Sequence, residues 1–154
     1  MTAIYLVAVA LHVLAAVAWV GGSMFLVGVL GPTLRSSRLG PHAVMVIRDS
    51  GRRFRTITYA MFAVFVLTGA VLLAHRGFVF TPLLVTKLIL VGAAFTASGF
   101  HDFVAGPAAA RAAQDNDALA AAQWRRLTAW LGRLSLVLTT TIVILSVVIV
   151  RLDQ

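Results

Sequence analysis

His12 stands inside a run from Thr2 to Leu34 that carries no charged side chain, so its imidazole lies within a segment apolar enough to cross a bilayer. Ionisable groups at that depth cost about 2.5–3.5 kcal/mol or more, which makes each one a functional candidate. An imidazole there offers a nitrogen lone pair for a metal or a haem iron, or a hydrogen bond to a carbonyl or to a residue such as Thr68. Its neighbours follow helical spacing: Ala15, Ala16, Trp19, Gly22 and Ser23 share a stripe with His12, amid Leu and Val elsewhere. Small residues on such a face admit a second helix or a flat ligand.

Other polar groups sort by depth into two layers. Near one boundary come His75 at the surface, Lys87 roughly 8 Å down and His12 roughly 12 Å down. Near the other come Met24, Met61, His101 and Asp102, with Arg133 about two turns into its helix. Lys87 and His101 share a helical face with Val91, Ala94 and Ser98 but lie about 21 Å apart along the axis, too far to serve one small site.

The first layer has the parts a b-type haem needs: His12 as axial ligand, Ala15, Ala16 and Gly22 where a porphyrin would lie, Trp19 and Phe65 as walls, and Lys87 and Arg76 for the propionates. His75 would complete a bis-histidine pair only across a mismatch of about 9 Å. The second layer suits copper, because Met24, Met61 and His101 offer thioether and imidazole on three helices, whereas His12 and His75 are the metal-ligand candidates of the first layer. The alternatives are structural. Asp102 with Arg133 makes an ion pair closing two helix ends, Lys87 extends its ammonium to the interface, His75 caps a helix C-terminus, and the methionines pack. His42, between spans, is given no role.

These residues must be carried by helices in lipid. With 60% apolar residues against the roughly 45–50% of soluble domains, the chain is expected to be an all-α integral membrane protein. Spans are expected at about residues 3–30, 56–75, 81–104 and 127–150, in one domain, 1–154, forming a four-helix antiparallel bundle. With no basic residue before it and an apolar run about twice the length of an h-region, the first span is expected to stay in the mature protein rather than be a cleaved signal peptide. Gly31-Pro32 and Gly106-Pro107 are expected to stop their helices, Ala43 to Ile47 to form a brief interfacial helix, and Gly77 to Pro82 a tight turn.

The net charge of +8 is orientation rather than nucleic-acid affinity. Arg35, Arg38, Arg48, Arg52, Arg53 and Arg55 fall between spans 1 and 2, and Arg111, Arg125 and Arg126 between spans 3 and 4. The positive-inside tendency puts these loops in the cytoplasm and both termini outside, in the inner (plasma) membrane. Without cysteine there is no thiolate site or disulfide, and without glutamate no paired-carboxylate catalysis. Thr139, Thr140 and Thr141 are expected to bond back to helical carbonyls. Gly22, Gly28 and Gly31 leave room for a homo-oligomer contact.

Leu11-His12, Trp19-Val20-Gly21-Gly22, Pro32, the arginine-rich loop with Phe54-Arg55, Thr68-Gly69 and Lys87-Leu88 together resemble the CopD-type membrane domain of copper-resistance proteins. More distantly, the chain is similar to the HemJ family of four-helix protoporphyrinogen oxidases, through the first-span histidine seven residues before a tryptophan and the third-span lysine. The resemblance covers spans 1 to 3. The first likeness implies copper handling at the inner membrane. The second implies bound haem b and porphyrinogen oxidation, carried onto His12 and Lys87. Three functions therefore stand open: a haem b protein for electron transfer, with a haem-dependent oxidoreductase as its enzymatic form; a copper transport or resistance protein with a membrane or periplasmic copper partner; and a ligand-free structural subunit.

Overall fold

The computed structural model describes residues 3–36 and 40–152, and every regular element among them is helical. Arg38 of the first basic loop lies outside the described residues, as do the side chains of Arg35 and Val44. In chain order the elements are α1 (Ala3–Met24), a π-helical turn (Phe25–Leu30), α2 (Gly31–Ser36), α3 (Pro41–His75), α4 (Pro82–Phe100), a second π-helical turn (His101–Ala105), α5 (Gly106–Gln114) and α6 (Ala118–Leu152).

Four helical stretches are long and apolar enough to cross a membrane: Ala3–Leu34, Met45–His75, Pro82–Gln114 and Ala118–Arg151. Their surfaces agree with a lipid environment, since side chains as large as Ile4 and Leu67 are 72% and 69% exposed. The all-α, multi-pass membrane architecture expected from composition is what the chain adopts.

Both Gly-Pro steps differ from expectation, and for one reason. Helical backbone continues through Gly31-Pro32 and through Gly106-Pro107 instead of stopping there. A wide turn precedes each step, so Gly31 N–H reaches the Leu26 carbonyl and Gly106 N–H reaches the His101 carbonyl, five residues back. Pro32 and Pro107 then stand at the start of a new α segment, where a missing N–H leaves few bonds unmade and the pyrrolidine ring has room. Gly106 fits the second turn tightly, since a Cβ there would lie 3.1 Å from the His101 oxygen.

The expected interfacial helix is likewise absorbed into α3, which runs unbroken from Pro41 and places His42 in its first turn rather than in a loop. At its far end, Phe78 N–H bonds the Leu73 carbonyl at 3.1 Å and Gly77 takes φ of +66°, a glycine-terminated stop. Thr81 then caps α4 by accepting from Leu84 N–H at 3.3 Å, with Pro82 as the first helical residue.

By its contacts the chain forms two compact units, Met1–Phe80 and Thr81–Gln154. Each has the same plan: a long helix, one π turn, a Gly-Pro step, a short α extension, then a 35-residue helix. His12 and Lys87 precede the glycine of that step by the same interval, 12 to 31 and 87 to 106. In the first unit α1 packs antiparallel on α3 through Ala8, Ala15 and Trp19 on one side and Thr58, Phe62 and Thr68 on the other, all buried. In the second, α4 and α5 pack on α6, with Ala94, Ala105, Ala121, Leu131, Thr139 and Ile142 buried. Alanines at these contacts let backbones close in, the main packing device in lipid.

Candidate functional site

The antiparallel register of α1 on α3 builds the site in the first unit. Tyr5 stacks on His75 with ring centroids 4.3 Å apart, His12 meets Phe65 edge-on at 5.0 Å, and Trp19 meets Phe62 edge-on at 4.9 Å and Phe65 at 5.6 Å. Tyr59 extends the cluster against Phe62 at 5.8 Å. Below this, the Phe54 ring lies where a Cβ on Gly22 would project. The stripe His12, Ala15, Trp19, Gly22 expected from helical spacing therefore faces a neighbouring helix.

His12 is partly buried, and Nδ1 of its ring is 2.7 Å from Thr68 Oγ1. Thr68 is itself buried and donates its hydroxyl hydrogen to the Val64 carbonyl at 2.6 Å. A threonine hydroxyl has a single hydrogen, and a carbonyl has none to give. The hydrogen between Thr68 and His12 must therefore come from the imidazole, so Nδ1–H donates to Oγ1. In the neutral ring the lone pair then belongs to Nε2, the nitrogen able to bind a metal or accept a hydrogen bond. The structural alternative named for His12, a bond to Thr68, is thus present, and it fixes the tautomer that ligation at Nε2 requires. Gly69 leaves space at the ring edge: a Cβ there would lie 4.0 Å from His12 Cε1.

The remaining sequence candidates are not gathered at this point. His75 is exposed at the end of α3 and its partner Tyr5 lies two helical turns from His12, about 10 Å along α1. His75 would have to leave its stack on Tyr5 to serve as a second axial ligand of an iron on His12. Arg76, half-buried, follows His75 at that same end. Met61 sits beside Phe62, at the level of Trp19, whereas Met24 is exposed about a turn and a half further along α1. No group of three or more His, Cys, Asp or Glu side chains among the described residues could hold a metal ion.

Lys87, His101, Asp102 and Arg133 belong to the second unit. His101 opens the π turn, and its Nδ1 lies 2.8 Å from Oδ1 of Asp102, whose side chain is only 14% exposed. Adjacent residues on an α-helix do not face one another. Here they meet where the backbone has widened; Arg133, on α6, is exposed. Lys87 is half-buried on α4. Thr139, Thr140 and Thr141 donate to the carbonyls of Leu136, Leu136 and Val137, as expected.

Phe62, Tyr59 and Tyr5 were not singled out by sequence reasoning, and Phe54 and Gly69 entered it only through the family resemblance. The available signal was the register: once His12 is placed opposite Thr68, antiparallel counting sets Tyr5 against His75 and Trp19 against Phe62. No protein-family model, curated protein or solved structure matches this chain.

Proposed function

We propose that the chain is a haem b-binding electron-transfer protein of the plasma membrane, with its arginine-rich connections on the cytoplasmic side and His12 Nε2 as the axial ligand atom. The observation that carries this reading is the relay from His12 Nδ1–H to Thr68 Oγ1 to the Val64 carbonyl, which leaves the ring lone pair on Nε2. A histidine held through its other nitrogen is the usual arrangement at a metal, since it fixes ring orientation and raises ligand basicity. Phe65 meets the ring edge-on with Trp19 packed against Phe65, Gly69 leaves room at the ring edge, and Arg76 supplies a cation toward the helix end.

When bound, haem b would take up and release one electron at a time. The chain's own residues orient the imidazole, exclude water with aromatic rings and place positive charge.

The test is an absorption spectrum and a metal assay on one detergent preparation of the full chain. A Soret band that disappears in His12→Ala supports the reading. Its absence from both proteins removes it, and stoichiometric copper without a Soret band would transfer the site to copper.

A further inference from the structure

Arg133 lies within the apolar span of α6, on the face turned away from the helices that α6 packs against. The buried residues Leu131, Thr139, Ile142 and Ile149 mark the face that meets α4. At about 3.6 residues per turn, Arg133 falls opposite the middle of that face. It is exposed, as is Trp130 one turn before it at 56% and Val137 one turn after it at 62%.

Its depth follows from the lengths of α4 and α6. About 20 helical residues cover roughly 30 Å of hydrocarbon, so a span ending just before Arg151 begins at Leu131. A span starting at Pro82, the first residue of α4, ends by the same count at His101. These two boundaries are level, because His101 precedes Asn116, in the turn between α5 and α6, by as many residues as Leu131 follows it. The backbone of Arg133 therefore sits about 3 Å inside the hydrocarbon. Side chains on a helix lean toward its N-terminus, which for α6 is the near boundary. The guanidinium accordingly emerges among the headgroups, beside an indole at the depth that interfacial tryptophans occupy.

The protein supplies no acceptor for it there. Between Ala118 and Leu152, α6 carries no acidic residue. Among the described residues no hydrogen bond or ion pair reaches Arg133, and Asp102, at the level of this boundary, bonds His101 at 2.8 Å. A guanidinium has five N–H donors, and the groups available to them at this depth on a lipid-facing surface are those of the lipid.

We propose that Arg133, with Trp130 beside it, binds the phosphodiester of an anionic phospholipid in the leaflet on the side of the turn between α5 and α6. The planar guanidinium takes two phosphate oxygens through parallel N–H donors. A zwitterionic lipid holds its own ammonium next to that phosphate, whereas phosphatidylglycerol has none, and one arginine at an anionic surface contributes on the order of a fivefold preference. The site belongs to the second unit alone and is independent of the haem reading.

The experiment reconstitutes the full chain in phosphatidylcholine vesicles that contain a small fraction of phosphatidylglycerol brominated on its acyl chains or, in parallel, of phosphatidylcholine brominated in the same way. Bromine quenches an indole that it touches, and the emission removed by Trp130→Phe isolates Trp130 from Trp19 and Trp124. Quenching of Trp130 several-fold stronger with the phosphatidylglycerol, falling toward parity in R133L and kept in R111Q, supports the proposal. Equal quenching by the two lipids in the unaltered protein, or an equal loss in R111Q, overturns it. Release of the lipid by inorganic phosphate overturns it too, in favour of a free-phosphate site. Lipid favours leucine over arginine, so R133L should keep its helical circular dichroism and unfold at no lower temperature. A lower midpoint, or the loss of a dimer in R133L, would show that Arg133 is held by protein and overturn the lipid assignment.

Discussion

The Phe54 ring occupies the space into which a Cβ on Gly22 would grow, with Cζ 2.7 Å and Cδ2 3.1 Å from that position. This contact sets how closely α1 and α3 approach near the π turn, and a larger residue must push the ring away. Gly22→Ala is expected to destabilise the first hairpin by about 1–3 kcal/mol, the usual cost of overpacking a filled site. Gly21→Ala is the control, because nothing lies within 4 Å of a Cβ there. Thermal unfolding of the two variants in detergent should separate them; equal midpoints would show that the Gly22–Phe54 contact is not limiting.

Thr68 acts on His12 through a single oxygen. In Thr68→Val the imidazole Nδ1–H loses its acceptor in a partly buried place, a cost of about 1–3 kcal/mol, and the ring loses the bond that fixes its tautomer. Thr68→Ser keeps the oxygen and the donation to Val64. Valine is therefore expected to lower haem occupancy or shift the reduction potential, while serine restores both. Redox titration with the Soret band as signal distinguishes this from simple unfolding, which would lower occupancy without moving the potential of the remaining fraction.

Much of this arrangement was legible before any coordinates. Uninterrupted hydropathy located the four spans, because lipid demands long apolar helices whatever their packing. The spacing of His12, Ala15, Trp19 and Gly22 named the packed face, since a 3.6-residue period is a property of the backbone. Thr68 could be named as a partner of His12 because few polar atoms lie at that depth. The two π turns were not legible. A Gly-Pro pair reads as a stop in any local rule, and only the five-residue hydrogen bond to Leu26 or His101 shows how the helix passes it. The common plan of the two units was hidden for a related reason: beyond the Gly-Pro step and a few scattered identities their side chains differ, and the likeness lies mainly in backbone geometry.

The wide turns make a stability prediction that contradicts the ordinary proline rule. Proline inside a helix costs about 3 kcal/mol or more. Pro32 and Pro107, however, stand where the bonding has already shifted, so Pro32→Ala and Pro107→Ala should each change stability by less than about 1 kcal/mol. Ala94→Pro, within α4 at a fully buried position, should cost at least about 3 kcal/mol. Unfolding midpoints in one detergent provide the comparison, and a large gain in stability from either alanine would mean that the turns are strained rather than relaxed.

His75 separates a single-ligand site from a bis-histidine one. Its ring stacks on Tyr5, two turns of α1 away from His12, so ligation of one iron by both imidazoles would require His75 to leave that stack. His75→Ala should therefore leave the position and intensity of the Soret band unchanged, whereas His12→Ala removes it. A low-spin spectrum that becomes high-spin in His75→Ala would contradict the register of α1 on α3 as well as the ligand assignment, because both rest on the pairing of Tyr5 with His75 and of His12 with Thr68. Tyr5→Ala provides the second reading: it removes the stacking partner, and if His75 has no part in ligation, the spectrum is unaffected there too.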